Sequence, residues 1–507
     1  MRPFFRAVVL ATLMIGLGVS AAATTDSPGA DLAGYWKGEI TAPDVATAIP
    51  FELIVEIDGS SSVRGSMAVP GDHSPLVGEF LKEEGILRVE GDFDDDTTVR
   101  LALERVAGDR DRLVGTATKG DMRAPVTCER AKGQPQLHHD RGIELPATRP
   151  TTVDRAFPDA AVAKRLGEIL DALVKEKNAI GVSVAVVGDG KILDARSVGY
   201  ADLGNKTPAN GKSMYRWASI SKPLTAVAAL QLVETGKLDL DRDVREYVPE
   251  FPKKEHPITS RQLLAHLGGI VHYSNGKVIR TEREYTVEHP DADTLLCLDR
   301  FKESPLVSVP GRKFNYTTHG YMLLGAVVER AGGAPYAEQV QRRILEPLGM
   351  KTMQPDYPWV DIPHRVAGYS GLRIGLATLD EDRDVCWKLP GGGWISTIGD
   401  LARFALGMLA PGKLLGPETM KAMCTPPTLP DGKRSTYGYG IGAFDFDGHP
   451  MIGHSGSQSK TVTYMVLCPK LDRGVVVMSN SRNFQARRLA LLWMREVARA
   501  KTTGSDR

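Results

Sequence analysis

"SISKPLTAVAALQLVETG" (Ser219–Gly236) sets a serine three residues ahead of a lysine and runs on into an apolar stretch that stops at glycine. The stretch reads as a helix, with Gly236 as the residue just past its end. Pro223 falls in the first turn, where its missing N–H costs nothing. Residues three apart share a helix face, so Lys222 can reach the hydroxyl of Ser219. The helix N-terminus favours negative charge developing there. A partly desolvated lysine loses proton affinity and can serve as a base towards serine. The competing reading is an ordinary polar helix start. S-x-x-K occurs three times, at Ser219–Lys222, Ser274–Lys277 and Ser457–Lys460, and chance supplies about one or two matches in a chain of this length. Only the first opens a long apolar segment; the other two sit beside Gly and Asn in turn-like sequence.

The chain has 507 residues, 42% of them hydrophobic and 25% charged, with a net charge of +1. That length allows two or three domains. The charge balance speaks against a nucleic-acid partner and against an anionic membrane surface, both of which call for a basic face. Residues 1–23 follow the plan of a signal peptide: arginines in "MRPFFR", the apolar "AVVLATLMIGLGV", then small residues, with cleavage expected after Ala21 or Ala23. This implies a periplasmic or secreted protein with no integral membrane segment after cleavage. Five scattered cysteines form no C-x-x-C pair, so a zinc site has no support and no metal or other cofactor is expected. They allow up to two disulfides with one thiol over, or mostly buried free thiols.

Short alternating runs separated by Gly, Asp and Ser predict an all-β accessory domain over residues 24–132, a small barrel or sandwich. Its acidic run Asp92–Asp96 lacks the spacing of a calcium loop and reads as a solvated hairpin turn. Residues 133–153 are polar and proline-punctuated, a linker in which His138-His139-Asp140 carries no metal assignment. From residue 154 to 507 the pattern is α+β. "AVAKRLGEILDALVKEKN" is helical, "GVSVAVVGDGKILDARSVGYAD" is a hairpin bending at Asp-Gly, and strands return near the end with "TVTYMVLCP" and "GVVVMSN". An antiparallel sheet assembled from both ends of the domain, with an inserted helical region, is the simplest account.

Five ordered motifs then carry a resemblance: "SISK", "LLAHLGGI" (Leu263–Ile270), "PGRKFNYTTHGYMLLGAVVE" (Pro310–Glu329), "GGGWISTIGDLARFA" (Gly391–Ala405) and "GHSGS" (Gly453–Ser457). Together they resemble the serine β-lactamase-related family of class C β-lactamases, D-Ala-D-Ala carboxypeptidases, D-aminopeptidases and related esterases. Within it the chain looks most like the animal mitochondrial branch and its bacterial relatives. The resemblance implies a β-lactamase/transpeptidase-like domain, an antiparallel sheet flanked by helices plus a helical region. It also implies a small-molecule or peptide, cell-wall-like substrate.

Carried over residue by residue, the resemblance makes Ser219 the acylated nucleophile, Lys222 its partner and Tyr316 a proton shuttle. His454 and Gly456 belong to the strand motif that is Lys-Thr-Gly in lactamases. The backbone N–H groups of Ser219 and Ser457 would form the oxyanion hole. His266 reads as a packing residue. Two departures bear on substrate. Thr318 stands where the family's tyrosine motif has an asparagine that holds the substrate amide, and His454 replaces a permanent lysine charge with a group mostly neutral near pH 7. Both push the expected activity away from β-lactamase and towards an esterase or peptidase. The alternative is a non-catalytic scaffold that retains the fold, and the intact serine, lysine and tyrosine count against it.

Overall fold

The computed structural model describes residues 32–41, 48–57, 61–69, 72–92, 98–119, 122–131, 143–146, 148–176, 179–273, 275–370, 376–380 and 382–504. The signal-peptide expectation for residues 1–23, the His138-His139-Asp140 stretch, Ser274 and most of the acidic run (93–97) lie outside them. The chain divides into two compact units, Met1–Glu144 with Gly371–Thr378, and Leu145–Ser370 with Leu379–Arg507.

In the first unit eight antiparallel strands, from Gly34–Ile40 to Met122–Arg130, close into a barrel. The first strand pairs with both the second and the eighth. Closure leaves no free edge, and it decides between the two expected architectures, barrel and sandwich. Alternate residues point inward, which is why Trp36, Leu53, Met67, Leu87, Leu101, Leu103 and Leu113 are buried. These side chains fill the interior, as eight strands require.

The second unit is built on an antiparallel sheet with the strand order Thr151–Arg155, Lys191–Asp202, Gly181–Gly188, Arg473–Ser479, Thr461–Cys468, His449–Gln458, Gly442–Phe446. Both ends of the unit thus feed one sheet. The first of these strands falls within the expected linker and just past it. Its residues are mostly exposed, because it is an edge strand, and this hid it in a polar sequence. The hairpin bends at Asp189 and Gly190, both with positive φ (51° and 69°), as a two-residue turn between right-twisted strands demands.

Alternation sorts the two faces of the sheet. Val182, Val184, Val186, Val475 and Val477 pack against the helices Ala160–Glu176 and Ala486–Thr503, with Leu166, Leu170, Trp493 and Met494. Ala185, Val187, Val476 and Met478 face the helical region on the other side. There the helix Ser221–Glu234 is buried along most of its length and around its whole circumference. A helix apolar all round belongs in a core rather than at a surface. It ends in a Schellman arrangement: the N–H of Gly236 donates to the carbonyl of Val233 (3.0 Å) and that of Lys237 to Leu232 (2.9 Å), with Gly236 at φ 69°. All five cysteines are free, four of them buried.

Candidate active site

Ser219 stands one turn earlier than the sequence pattern implies. It sits in a 3₁₀ turn, Ala218–Ile220, ahead of the α-helix that starts at Ser221. Two threonines of the neighbouring strand hold the entry to that turn: Thr461 Oγ1 donates to the carbonyl of Arg216 and Thr463 Oγ1 to that of Trp217, each at 3.0 Å. Trp217 is fixed in turn by its indole N–H, which donates to Ser396 Oγ (2.6 Å). Ser221 Oγ donates back to the carbonyl of Ala218 (2.7 Å). Ala218 is held at φ 49°, a left-handed conformation unusual for a residue with a side chain. The turn leaves Ser219 partly exposed among buried neighbours.

Lys222 lies directly behind it and is fully buried. Its Nζ is 3.0 Å from Ser219 Oγ, 3.0 Å from the carbonyl oxygen of Gly391 and 3.2 Å from Thr318 Oγ1. Burial, helped by the nearby charge of Lys388, holds its pKa well below that of a free lysine. A neutral amine has two protons and one lone pair. Donating to Gly391 and Thr318 leaves the lone pair for the proton of Ser219. Thr318, read as a substrate contact, is therefore also a partner of the base. It opens the helix Thr318–Gly332, and its backbone N–H donates to His272 Nδ1 (3.2 Å). The N–H of Thr317, at the cap of the same helix, donates to His266 Nδ1 (3.2 Å).

The Tyr316 phenol faces the side chain of Ser219, and burial, the larger influence, pushes its pKa up. The Lys222 Nζ lies 4.8 Å from its ring centroid. His266 packs 4.3 Å from that ring, centroid to centroid, which gives the expected packing residue a definite object: it holds the tyrosine. Ser219, Lys222, Tyr316 and Thr318 are thus brought together.

His454 stands beyond Tyr316, ring centroids 6.4 Å apart. Its Nδ1 faces the carbonyl of Ser455 at 2.6 Å, so Nδ1 carries the proton and Nε2 accepts from the Tyr437 hydroxyl at 2.8 Å. Burial and the charge of Lys222 push its pKa down to about 3. A ring so buried, neutral and doubly bonded offers no cation to a substrate carboxylate. Gly456 is where this strand meets the serine turn: a Cβ there would stand 2.5 Å from the Trp217 carbonyl oxygen and 3.1 Å from the Ala218 methyl. Only glycine admits that approach. The outer strand Gly442–Phe446 pairs with this one only as far as Gly453. Past Gly453 the strand continues through residues 454–458, paired on its other edge with Thr461–Met465. Ser457 lies on that segment, its side chain exposed.

The other S-x-x-K match that lies within the described residues carries no base. Lys460 is at the turn after the strand, where its ammonium pairs with Asp382 (2.7 Å). Sequence reasoning missed Tyr437, His272, Tyr273 and Lys388, which approach from loops without periodic pattern. Lys388 was preceded by no signal beyond its place in "CWKLPGGGW".

A model of the family described as Beta-lactamase matches residues 166–499. The mitochondrial serine β-lactamase-like protein LACTB of Mus musculus is 31% identical over 401 residues, which span 62% of this chain and 72% of that protein. Esterase EstB of Burkholderia gladioli is 34% identical over 201 residues, 38% of this chain and 51% of the esterase. Among solved structures, the octameric penicillin-binding protein homologue from Pyrococcus abyssi aligns with a TM-score of 0.56 at 26% identity, over 67% of this chain and 77% of that one. With a match covering most of the second unit and the site motifs inside it, the chain belongs to the β-lactamase family of serine-hydrolase folds.

Proposed function

We propose that this chain is a serine hydrolase that forms an acyl-enzyme on Ser219 and acts on small esters or peptides, with little β-lactamase activity. The observation that carries the reading is the contact of an accessible serine hydroxyl with a fully buried lysine amine, 3.0 Å apart. In this mechanism the lone pair of Lys222 takes the Ser219 proton as Oγ attacks the substrate carbonyl. The backbone N–H groups of Ser219 and Ser457 receive the developing oxyanion, worth on the order of a hundredfold or more in rate per donor. Tyr316, kept protonated by burial, gives its proton to the leaving group and regains one through Lys222. Water then attacks the ester, with the same groups in reverse order. Following residues 1–23, the enzyme would work outside the cytoplasm.

A penicillin or cephalosporin presents a carboxylate that a neutral His454 does not hold, whereas a simple ester makes no such demand. The expected result is therefore a kcat/KM for a 4-nitrophenyl ester at least about a hundredfold above that for nitrocefin, the two missing polar contacts being worth roughly tenfold each. Equal values would overturn the assignment of His454. Intact-mass spectrometry after exposure to a fluorophosphonate should find one adduct, on Ser219. Its absence from folded protein would leave the non-catalytic scaffold as the better account.

A further inference from the structure

Lys388 ends the 3₁₀ turn Cys386–Lys388 and leads into the short helix Leu389–Gly392, the segment whose Gly391 carbonyl holds Lys222. Its ammonium lies 5.9 Å from the Tyr273 ring centroid and 5.8 Å from that of Trp387. Its Cε comes within 3.6 Å of where a Cβ on Gly392 would stand, a point only 3.7 Å from the carbonyl carbon of Ala218. Lys388 therefore stands beside the turn that bears Ser219. Among the described residues no carboxylate lies within 4.0 Å of its Nζ. The groups whose charge it feels most are cations, Arg216 and Arg383, and Arg216 already spends its charge on Asp356 and Asp382.

A half-buried ammonium with no carboxylate beside it among the described residues is costly unless something brings the anion. Burial and these cations lower its pKa only to about 8, so it remains largely charged at neutral pH. Its immediate neighbours differ from those of Tyr316. Tyr316, which serves the leaving group, is packed with His266, Tyr437 and His454. Lys388 is grouped with Tyr273, Trp387 and Gly392, and His272 packs against both groups, its ring 4.0 Å from that of Tyr273 and 5.9 Å from that of Tyr316. Resting on the acyl-enzyme reading above, we propose that Lys388 binds a carboxylate carried on the acyl portion of the substrate, so that the site favours half-esters and half-amides of dicarboxylic acids over neutral acyl groups of the same length. The lost lysine of the strand motif is in this way replaced from a different element, and for a different part of the substrate.

Mono(4-nitrophenyl) adipate and 4-nitrophenyl hexanoate have equal chain lengths and differ only in the terminal carboxylate. The ratio of their kcat/KM values should fall about tenfold or more in Lys388→Met, through KM for the adipate, the factor a charge-assisted hydrogen bond supplies. Lys388→Arg should restore part of the ratio, and Lys388→Glu should push it below that of Lys388→Met. An unchanged ratio, or an equal loss on both esters with an unchanged KM, would overturn the proposal while leaving the hydrolase reading intact. Calorimetric titration with adipate separates the two further: the wild type should bind it and Lys388→Met should not. If fluorophosphonate fails to label Ser219 and adipate still binds in a Lys388-dependent way, the hydrolase reading alone has failed. No adipate binding by the wild type counts against the proposal.

Discussion

Replacing Ser219 with alanine should lower kcat/KM for a nitrophenyl ester by about a thousandfold or more and abolish the fluorophosphonate adduct. The size follows from what is removed: the nucleophile of a serine hydrolase acts as a unit with its base, and losing it leaves only binding and oxyanion stabilisation. The protein should stay folded. Lys222 keeps the carbonyl of Gly391 and the hydroxyl of Thr318 as partners, and a partly exposed hydroxyl contributes little packing. A melting temperature close to wild type, together with the lost activity, is the expected pair of readings. Activity above about a tenth of wild type in the folded variant would place the nucleophile elsewhere.

The second large effect concerns Lys222. Only its neutral amine can take the serine proton, and burial together with Lys388 holds its pKa well below the ordinary lysine value. The sign follows: activity is lost as pH falls through that lowered pKa and is present above it, so the rate should reach its plateau well before the pH at which a free lysine titrates, about 10.4. His454 and His272, each pushed down to about 3, do not contribute a limb near neutrality. Lys222→Arg keeps a permanent charge at the same place and should lose about a thousandfold at every pH, within the range general-base catalysis supplies. Lys388→Met removes a neighbouring cation, so the acid limb should move to higher pH. Recovery of activity at high pH by the Lys222→Arg variant, or a limb unmoved when Lys388 is replaced, would show that another group accepts the proton.

The parts of this molecule legible in sequence are those encoded over short distances. Barrel strands announce themselves by alternation, because each inward residue is apolar and each outward one need not be. Ser219 and Lys222 are three residues apart, and the motifs around Tyr316 and Gly456 keep their local order. What stayed hidden depends on contacts between segments far apart in the chain. The strand Thr151–Arg155 is exposed on the sheet edge, so its sequence carries no apolar alternation. The 3₁₀ geometry at Ser219 comes from Thr461 and Thr463, more than two hundred residues away. His272 acquires its place by accepting a backbone N–H of the Tyr316-bearing segment's helix, and Lys388 by the 3₁₀ turn Cys386–Lys388 that leads into Leu389–Gly392. No spacing rule links either of them to the serine.

The left-handed turn at Ala218 also limits how this site can diversify. A γ-carbon at that position would have to fit beside Gly456, and its Cβ already carries the strain of φ 49°. Alanine and glycine are the residues compatible with both conditions, so positions 218 and 456 are coupled: neither can enlarge while the other side of the contact remains in place. Position 388 bears no such constraint. A library built to redirect this scaffold to new acyl groups should therefore hold 218 and 456 fixed and spend its diversity on 388 and its neighbours Tyr273 and Trp387.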